Sequence, residues 1–175
     1  MKNIVLIGFM GTGKTSTGRL LAHRLGRTFI DTDQKIEFDN NITVAEMFSI
    51  HGEQHFRQKE SETIARISRY TDVVIATGGG VVLRPENLIR LKTNGVIIAL
   101  TASLEVILER TSRRNCRPLL NRPDKEAVVS KLLKERADLY NKADLSIDTS
   151  DSTPQQVCDH IIAFLRQGGY LRGRC

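Results

Sequence analysis

The chain reads as an α/β domain in which a parallel sheet is covered by helices on both faces. Short β-branched runs alternate with longer stretches of helical period, the pattern of successive βαβ units. Most of the runs are too apolar to face water on either side, as strands buried within a parallel sheet are. The 175 residues, 40% hydrophobic and 26% charged, suffice for one compact domain and its core but not for two.

Five strands are predicted, at Ile4 to Ile7, Thr28 to Ile30, Val73 to Ala76, Val96 to Leu100 and Leu145 to Ile147. The first helix runs from about Lys14 to Leu25, with Leu20, Leu21 and Leu25 inward, and stops at Gly26, a residue free to take the left-handed conformation that ends helices. Thr43 with Glu46 forms a capping box that opens a short helix, and a longer helix follows from about Glu53 to Ser68. Thr153-Pro154-Gln155-Gln156 combines an N-cap, a proline at the first helical position and a glutamine at the third, opening a last helix that ends near Gly168. From Ser112 to Pro123 no periodicity is sustained, so this stretch reads as a long loop. Between Glu109 and Arg122, five arginines (110, 113, 114, 117 and 122) stand against one acid, most of the formal +6 charge of the chain. Loops of this length in compact domains are lids or disordered.

The positive surplus favours an anionic partner. Aromatics are 5% of the chain with no tryptophan, which argues against stacking platforms for single-stranded nucleic acid. No apolar run reaches the roughly 18 residues that span a bilayer, and Met1-Lys2-Asn3 leads directly into a strand, so a cytoplasmic protein without membrane contact is expected. Cys116, Cys158 and Cys175 are too widely spaced for a zinc site or a disulfide framework and read as free thiols.

Gly8-Phe9-Met10-Gly11-Thr12-Gly13-Lys14-Thr15 matches G-x-x-x-x-G-K-[ST] between a buried strand and a helix, the context that this phosphate-binding loop requires. Its glycines let successive N–H groups turn inward, so the backbone of Gly11, Thr12, Gly13, Lys14, Thr15 and Ser16 would cradle the phosphates of ATP. Lys14, expected as an exposed cation, would reach the β- and γ-phosphates, and the Thr15 hydroxyl would ligate Mg²⁺. The loop alone leaves kinase, GTPase, ATPase motor and nucleotide-dependent regulator open. Asp31-Thr32-Asp33 closes the second strand with two carboxylates on one side; one could assist Mg²⁺ and the other meet a substrate hydroxyl, or one could simply cap the next helix. Arg57 and Glu60 share a helix face, in themselves an ordinary surface pair. Gly78, Gly79 and Gly80 follow the third strand, where they would admit a ligand close to the backbone or make a loose turn.

Taken in order and at these distances, the P-loop, Asp-x-Asp, Phe56-Arg57-x-x-Glu60, Gly78-Gly79-Gly80, Arg117-Pro118-Leu119-Leu120 and Arg136-x-x-x-Tyr140 resemble the shikimate kinase family over about residues 4 to 165. The resemblance implies transfer of the γ-phosphoryl of ATP to the 3-hydroxyl of shikimate on the chorismate route, with Mg²⁺. It implies a three-layer domain like that of nucleoside monophosphate kinases, with strand order 2-3-1-4-5, a substrate-binding subdomain at about 33–61 and a lid at about 112–123. By the same resemblance Asp31 would organise Mg²⁺ through water, and Asp33 would hold the ring hydroxyls. Arg57 and Arg136 would clamp the carboxylate, Gly78 to Gly80 would close on the ring, and Arg117 would come down on the transferring phosphate. Arg110 and Pro154 would flank adenine. Arg57 near Asp33 would favour the ionised carboxylate, so Asp33 would orient more than abstract. A monomer acting on ATP and shikimate, with no nucleic acid, is expected.

Two other readings share the P-loop. One is a related small-molecule kinase such as a gluconate kinase, against which the carboxylate clamp together with Gly78-Gly79-Gly80 argues. A nucleotide-dependent nucleic-acid-binding regulator needs a spread basic face, whereas these arginines cluster beside the ATP loop.

Overall fold

A computed structural model describes residues 1–112 and 124–171. Five strands, β1 (Asn3–Ile7), β2 (Thr28–Asp31), β3 (Val73–Ala76), β4 (Gly95–Thr101) and β5 (Leu145–Asp148), form one sheet in the order β2-β3-β1-β4-β5. Every pairing is parallel: Val5 is level with Ile75 on one side and Ile97 on the other, Ile30 with Ile75, and Leu100 with Ile147. The order is the one the family resemblance implied.

Successive residues of a strand point to opposite faces, and the core divides accordingly. Val5, Ile7, Val73, Ile75, Ile97 and Ala99 pack under α3 (Val44–Ile67), α4 (Pro85–Thr93), α5 (Leu104–Ser112) and α6 (Lys125–Tyr140). Ile4, Leu6, Val74, Val96, Ile98 and Leu100 pack under α1 (Lys14–Leu25) and α7 (Pro154–Gln167). These are the three layers. The central strands are buried on both faces, whereas β2 and β5, at the sheet edges, are only partly covered and so are less enclosed than expected of them.

The local signals for helix ends are realised. Gly26 ends α1 at φ 66, and both capping boxes, Thr43 with Glu46 and Thr153 with Gln156, are formed. Gly52, at φ 80 and ψ 171, breaks α3 into the two helical halves expected of this stretch. α2 (Thr32–Asn40) starts immediately after β2 as the helix an aspartate of Asp31-Thr32-Asp33 could cap, while α4, α5 and α6 fill gaps in which the sequence alone sets no helix bounds. α2 folds back against the first half of α3 over a small core of its own, made by Ile36, Met47 and Phe56. Among the described residues, no helix is long and apolar enough to cross a membrane.

Candidate active site

All five strands run the same way, so the residues that follow them gather at one edge of the sheet, where folds of this class bind ligands. Three segments meet there: the loop after β1, the start of α2 after β2, and the glycine turn after β3.

The loop after β1 is shaped by glycines in the left-handed region at Gly11 (φ 81) and Gly13 (φ 90). Gly13 caps α1 without any side-chain hydrogen bond, and the first turn of α1 has no acidic residue. Its N–H groups and the positive end of the helix dipole are thereby left to an anion. Lys14 is buried at 9% exposure rather than exposed as expected: its Nζ donates to Gly8 O at 2.8 Å and Phe9 O at 2.7 Å, because an ammonium beneath a close-wrapped loop can satisfy its donors on that loop's own carbonyls. Ser16 is exposed in the first turn of α1. Thr12 is pinned from both directions, donating from Oγ1 to Phe9 O at 2.8 Å and accepting at its carbonyl from Thr149 Oγ1 at 3.0 Å.

Thr15 and Asp31 meet, with Thr15 Oγ1 donating to Asp31 Oδ2 at 2.9 Å. Two hard oxygens side by side next to a phosphate loop suit Mg²⁺, which takes few protein ligands and completes its shell with water and phosphate oxygens. Asp31 also caps α2, its Oδ1 accepting from Asp33 N at 3.1 Å and Gln34 N at 3.3 Å. The two readings of the carboxylate pair therefore do not exclude each other. Asp33, however, does not follow Asp31 on the strand; β2 ends at Asp31 and Asp33 lies in the first turn of α2.

Gly78, Gly79 and Gly80 collect the remaining residues. A Cβ on Gly78 would stand 2.6 Å from Asp33 Oδ1 and 2.9 Å from Glu60 Oε1, and one on Gly80 would overlap the guanidinium of Arg57. The Gly79 carbonyl accepts from Arg136 Nη1 at 3.3 Å and from the Tyr140 hydroxyl at 2.7 Å. Arg136 is itself buried, with its Cζ 5.7 Å from the centre of the Phe9 ring in the phosphate loop. Two arginines, a carboxylate and a turn with no side chains thus converge from α2, α3, α6 and the β3 exit.

Glu60 corrects the expectation of a surface pair. It is 1% exposed, and its Oε2 accepts from Arg57 Nη1 at 2.8 Å. Burial pushes its carboxyl above the ordinary carboxylate range, while Arg57 pulls it back. Spacing reveals a shared face, but not that this face turns inward. Thr32 was likewise overlooked: it is fully buried and accepts from Gly78 N at 3.0 Å, tying the carboxylate segment to the glycine turn. Its place between two aspartates was the one available signal.

Arg110 lies beside the phosphate loop, donating to Gly11 O at 3.3 Å and to Thr149 O at 2.7 Å. Thr149 leads toward α7, whose first residue is the exposed Pro154, so both expected flanks of adenine lie beyond the β4–β5 half of the sheet edge. No sequence signal marked Thr149. Ser112, expected as the first residue of the lid, closes α5; Arg117 and the rest of that segment lie outside the described residues.

The family model for shikimate kinase matches residues 10–166. The chain is 52% identical over 162 residues to a shikimate kinase from Thermodesulfovibrio yellowstonii, covering 93% of this chain and 94% of that one. It is 48% identical over 171 residues to a shikimate kinase from Pelotomaculum thermopropionicum, covering 98% and 99% respectively. Among solved structures it resembles the shikimate kinase from Acinetobacter baumannii in complex with shikimate, with a TM-score of 0.92 and 35% identity over 96% of this chain and 94% of that one.

Proposed function

The chain belongs to the shikimate kinase family, and from that premise we propose how its residues divide the reaction, transfer of the γ-phosphoryl of ATP to the 3-hydroxyl of shikimate to give shikimate 3-phosphate and ADP in aromatic amino-acid biosynthesis. The observation that supports the division is the convergence of Asp33, Arg57 and Arg136 on the glycine turn beside the phosphate loop. A nucleic-acid-binding regulator has no use for that arrangement, and against gluconate, which is itself a carboxylate, the family match favours shikimate.

The nucleotide lies with its phosphates on the uncapped N–H groups of Gly11 to Ser16 and on Lys14, and with adenine between Arg110 and Pro154. Thr15, and Asp31 through water, would hold Mg²⁺, which supplies positive charge to the phosphate oxygens. Arg57 and Arg136 grip the carboxylate of shikimate from two helices; their forked donors fix its orientation as well as its charge. Gly78, Gly79 and Gly80 let the ring approach the backbone where any side chain would intrude. Asp33, at the start of α2, accepts the hydrogen of the attacking hydroxyl and aims its oxygen at phosphorus. In a loose transition state that proton departs late, so positioning matters more than base strength. Arg117 covers the transferring phosphoryl. We assign residues of about 33–61, with their separate small core, to the acceptor-holding subdomain and the segment that follows Ser112 to the lid.

The test is an ATP-consumption assay with shikimate, its uncharged carboxamide and gluconate, using wild type and Arg136→Ala. Shikimate is expected to be the only good substrate of wild type. Arg136→Ala should lose at least about tenfold more kcat/KM on shikimate than on the carboxamide. Equal losses on both would overturn the assignment of Arg136 to the carboxylate.

A further inference from the structure

One turn along α6 from Arg136, Tyr140 aims at the same acceptor. Its hydroxyl donates to the Gly79 carbonyl at 2.7 Å, where Arg136 Nη1 donates at the longer distance of 3.3 Å. The ring is 4% exposed within the core between α6 and the sheet, so the hydroxyl is held in place by packing as well as by its bond. Burial raises its pKa above the ordinary tyrosine value, so it remains a donor throughout the neutral range. Sharing the Gly79 carbonyl with Arg136 places the hydroxyl beside that arginine.

Gly79 also touches the other half of the site. A Cβ there would stand 3.4 Å from Met10 N and 3.5 Å from Gly8 O, so the turn lies directly on the phosphate loop. The carbonyl is half-buried, so losing a donor costs it part of the penalty of an unpaired acceptor. Were Arg136 the sole donor, its guanidinium would be divided between the carbonyl and the carboxylate of the acceptor.

We propose that Tyr140 is a positioning residue for phosphoryl transfer: its hydroxyl satisfies the Gly79 carbonyl, holding the glycine turn against the phosphate loop and releasing Arg136 to the carboxylate of shikimate. This rests on the assignment of Arg136 to that carboxylate. Tyr140 does not touch the reacting atoms, and its effect is felt through Arg136 and Gly79.

The test uses Tyr140→Phe, which keeps the ring and deletes the donor, with circular dichroism and thermal unfolding to establish that it folds. KM for shikimate is expected to rise about tenfold, because an Arg136 held on the Gly79 carbonyl grips the carboxylate less well, with KM for ATP unmoved. The preference for shikimate over its carboxamide should fall, because Arg136 is now retained by the carbonyl. In an Arg136→Ala background the same change should cause no further loss of that preference. If Tyr140→Phe harms both acceptors by one factor, raises both substrates' KM alike or changes nothing, Tyr140 is only a packing residue and the proposal falls. If Arg136→Ala alone fails to distinguish the acceptors, the assignment of Arg136 falls, and this proposal with it. If Arg136→Ala distinguishes them and Tyr140→Phe does not, only the role of Tyr140 is lost.

Discussion

Glu60 stands against the glycine turn after β3, with one carboxyl oxygen on Arg57 and the other, Oε1, buried without a hydrogen bond among the described residues. Burial raises its pKa in the folded protein above that of the unfolded chain, so the folded state holds the proton more tightly. Its contribution to stability is therefore fully present on the acid side and declines as pH rises from the ordinary carboxylate value through the raised one. Glu60→Gln removes this titration. Thermal midpoints measured against pH should fall less steeply for the variant across that interval, and parallel curves would contradict the assignment. Asp33 invites a separation of a different kind. Asp33→Ala should lower kcat about a hundredfold or more, as expected when a group that handles the transferred proton is removed. Asp33→Asn keeps the shape and the hydrogen bond, so it should retain clearly more activity than Ala. Equal losses would show that the negative charge itself is indispensable.

The glycine turn after β3 works as an element because side chains of α2 and α3 press on Gly78, the phosphate loop on Gly79 and α3 on Gly80 where a side chain would stand, while α6 donates to the Gly79 carbonyl. Gly80 tests this well. Its φ of −97 suits any residue, so alanine strains no backbone there, and the group it would displace is the flexible end of Arg57. Gly80→Ala should fold, with its thermal midpoint lowered because displacing Arg57 disturbs its pair with buried Glu60, while KM for shikimate rises about tenfold, since one arm of the carboxylate clamp is displaced. An unchanged KM would mean that Arg57 does not reach the acceptor. The elements around the turn differ in how far local sequence specifies them. Both capping boxes were legible because their hydrogen bonds close within four residues. The start of α2 was only one of two readings, because Asp31 serves at once as the last residue of β2 and the cap of the helix, and nothing in Asp-Thr-Asp says where the strand stops.

At the scale of the whole molecule, Cys158 reports on the fold. It is a free thiol, fully buried between α7 and α1, in contact with the Thr17 carbonyl at 3.5 Å, and burial pushes its pKa up to about 11. A thiol reagent meets it only when that layer opens, so alkylation of the Cys158 peptide, followed by mass spectrometry, should track opening of the fold. A ligand that binds the folded state at about a hundred times its Kd should slow the labelling about a hundredfold. Labelling at the rate of an unfolded peptide would place Cys158 on an accessible surface instead.

What the sequence determined by itself is what neighbours in the chain encode. The phosphate loop, the five strands, the left-handed stop at Gly26 and the caps at Thr43 and Thr153 rest on periodicity or on hydrogen bonds a few residues long. Family resemblance added the strand order, which periodicity leaves open. The tertiary structure alone decided that Glu60 is buried, that Lys14 folds under its loop, and that Thr32 and the Tyr140 hydroxyl meet the glycine turn beside Asp33, Arg57 and Arg136. Those residues are separated by long stretches of chain and are joined by the register of β1, β2 and β3 and by the packing of α3 and α6 on one face of the sheet. A side chain's polarity limits where it can be buried. Whether it is buried depends on what the rest of the chain brings against it.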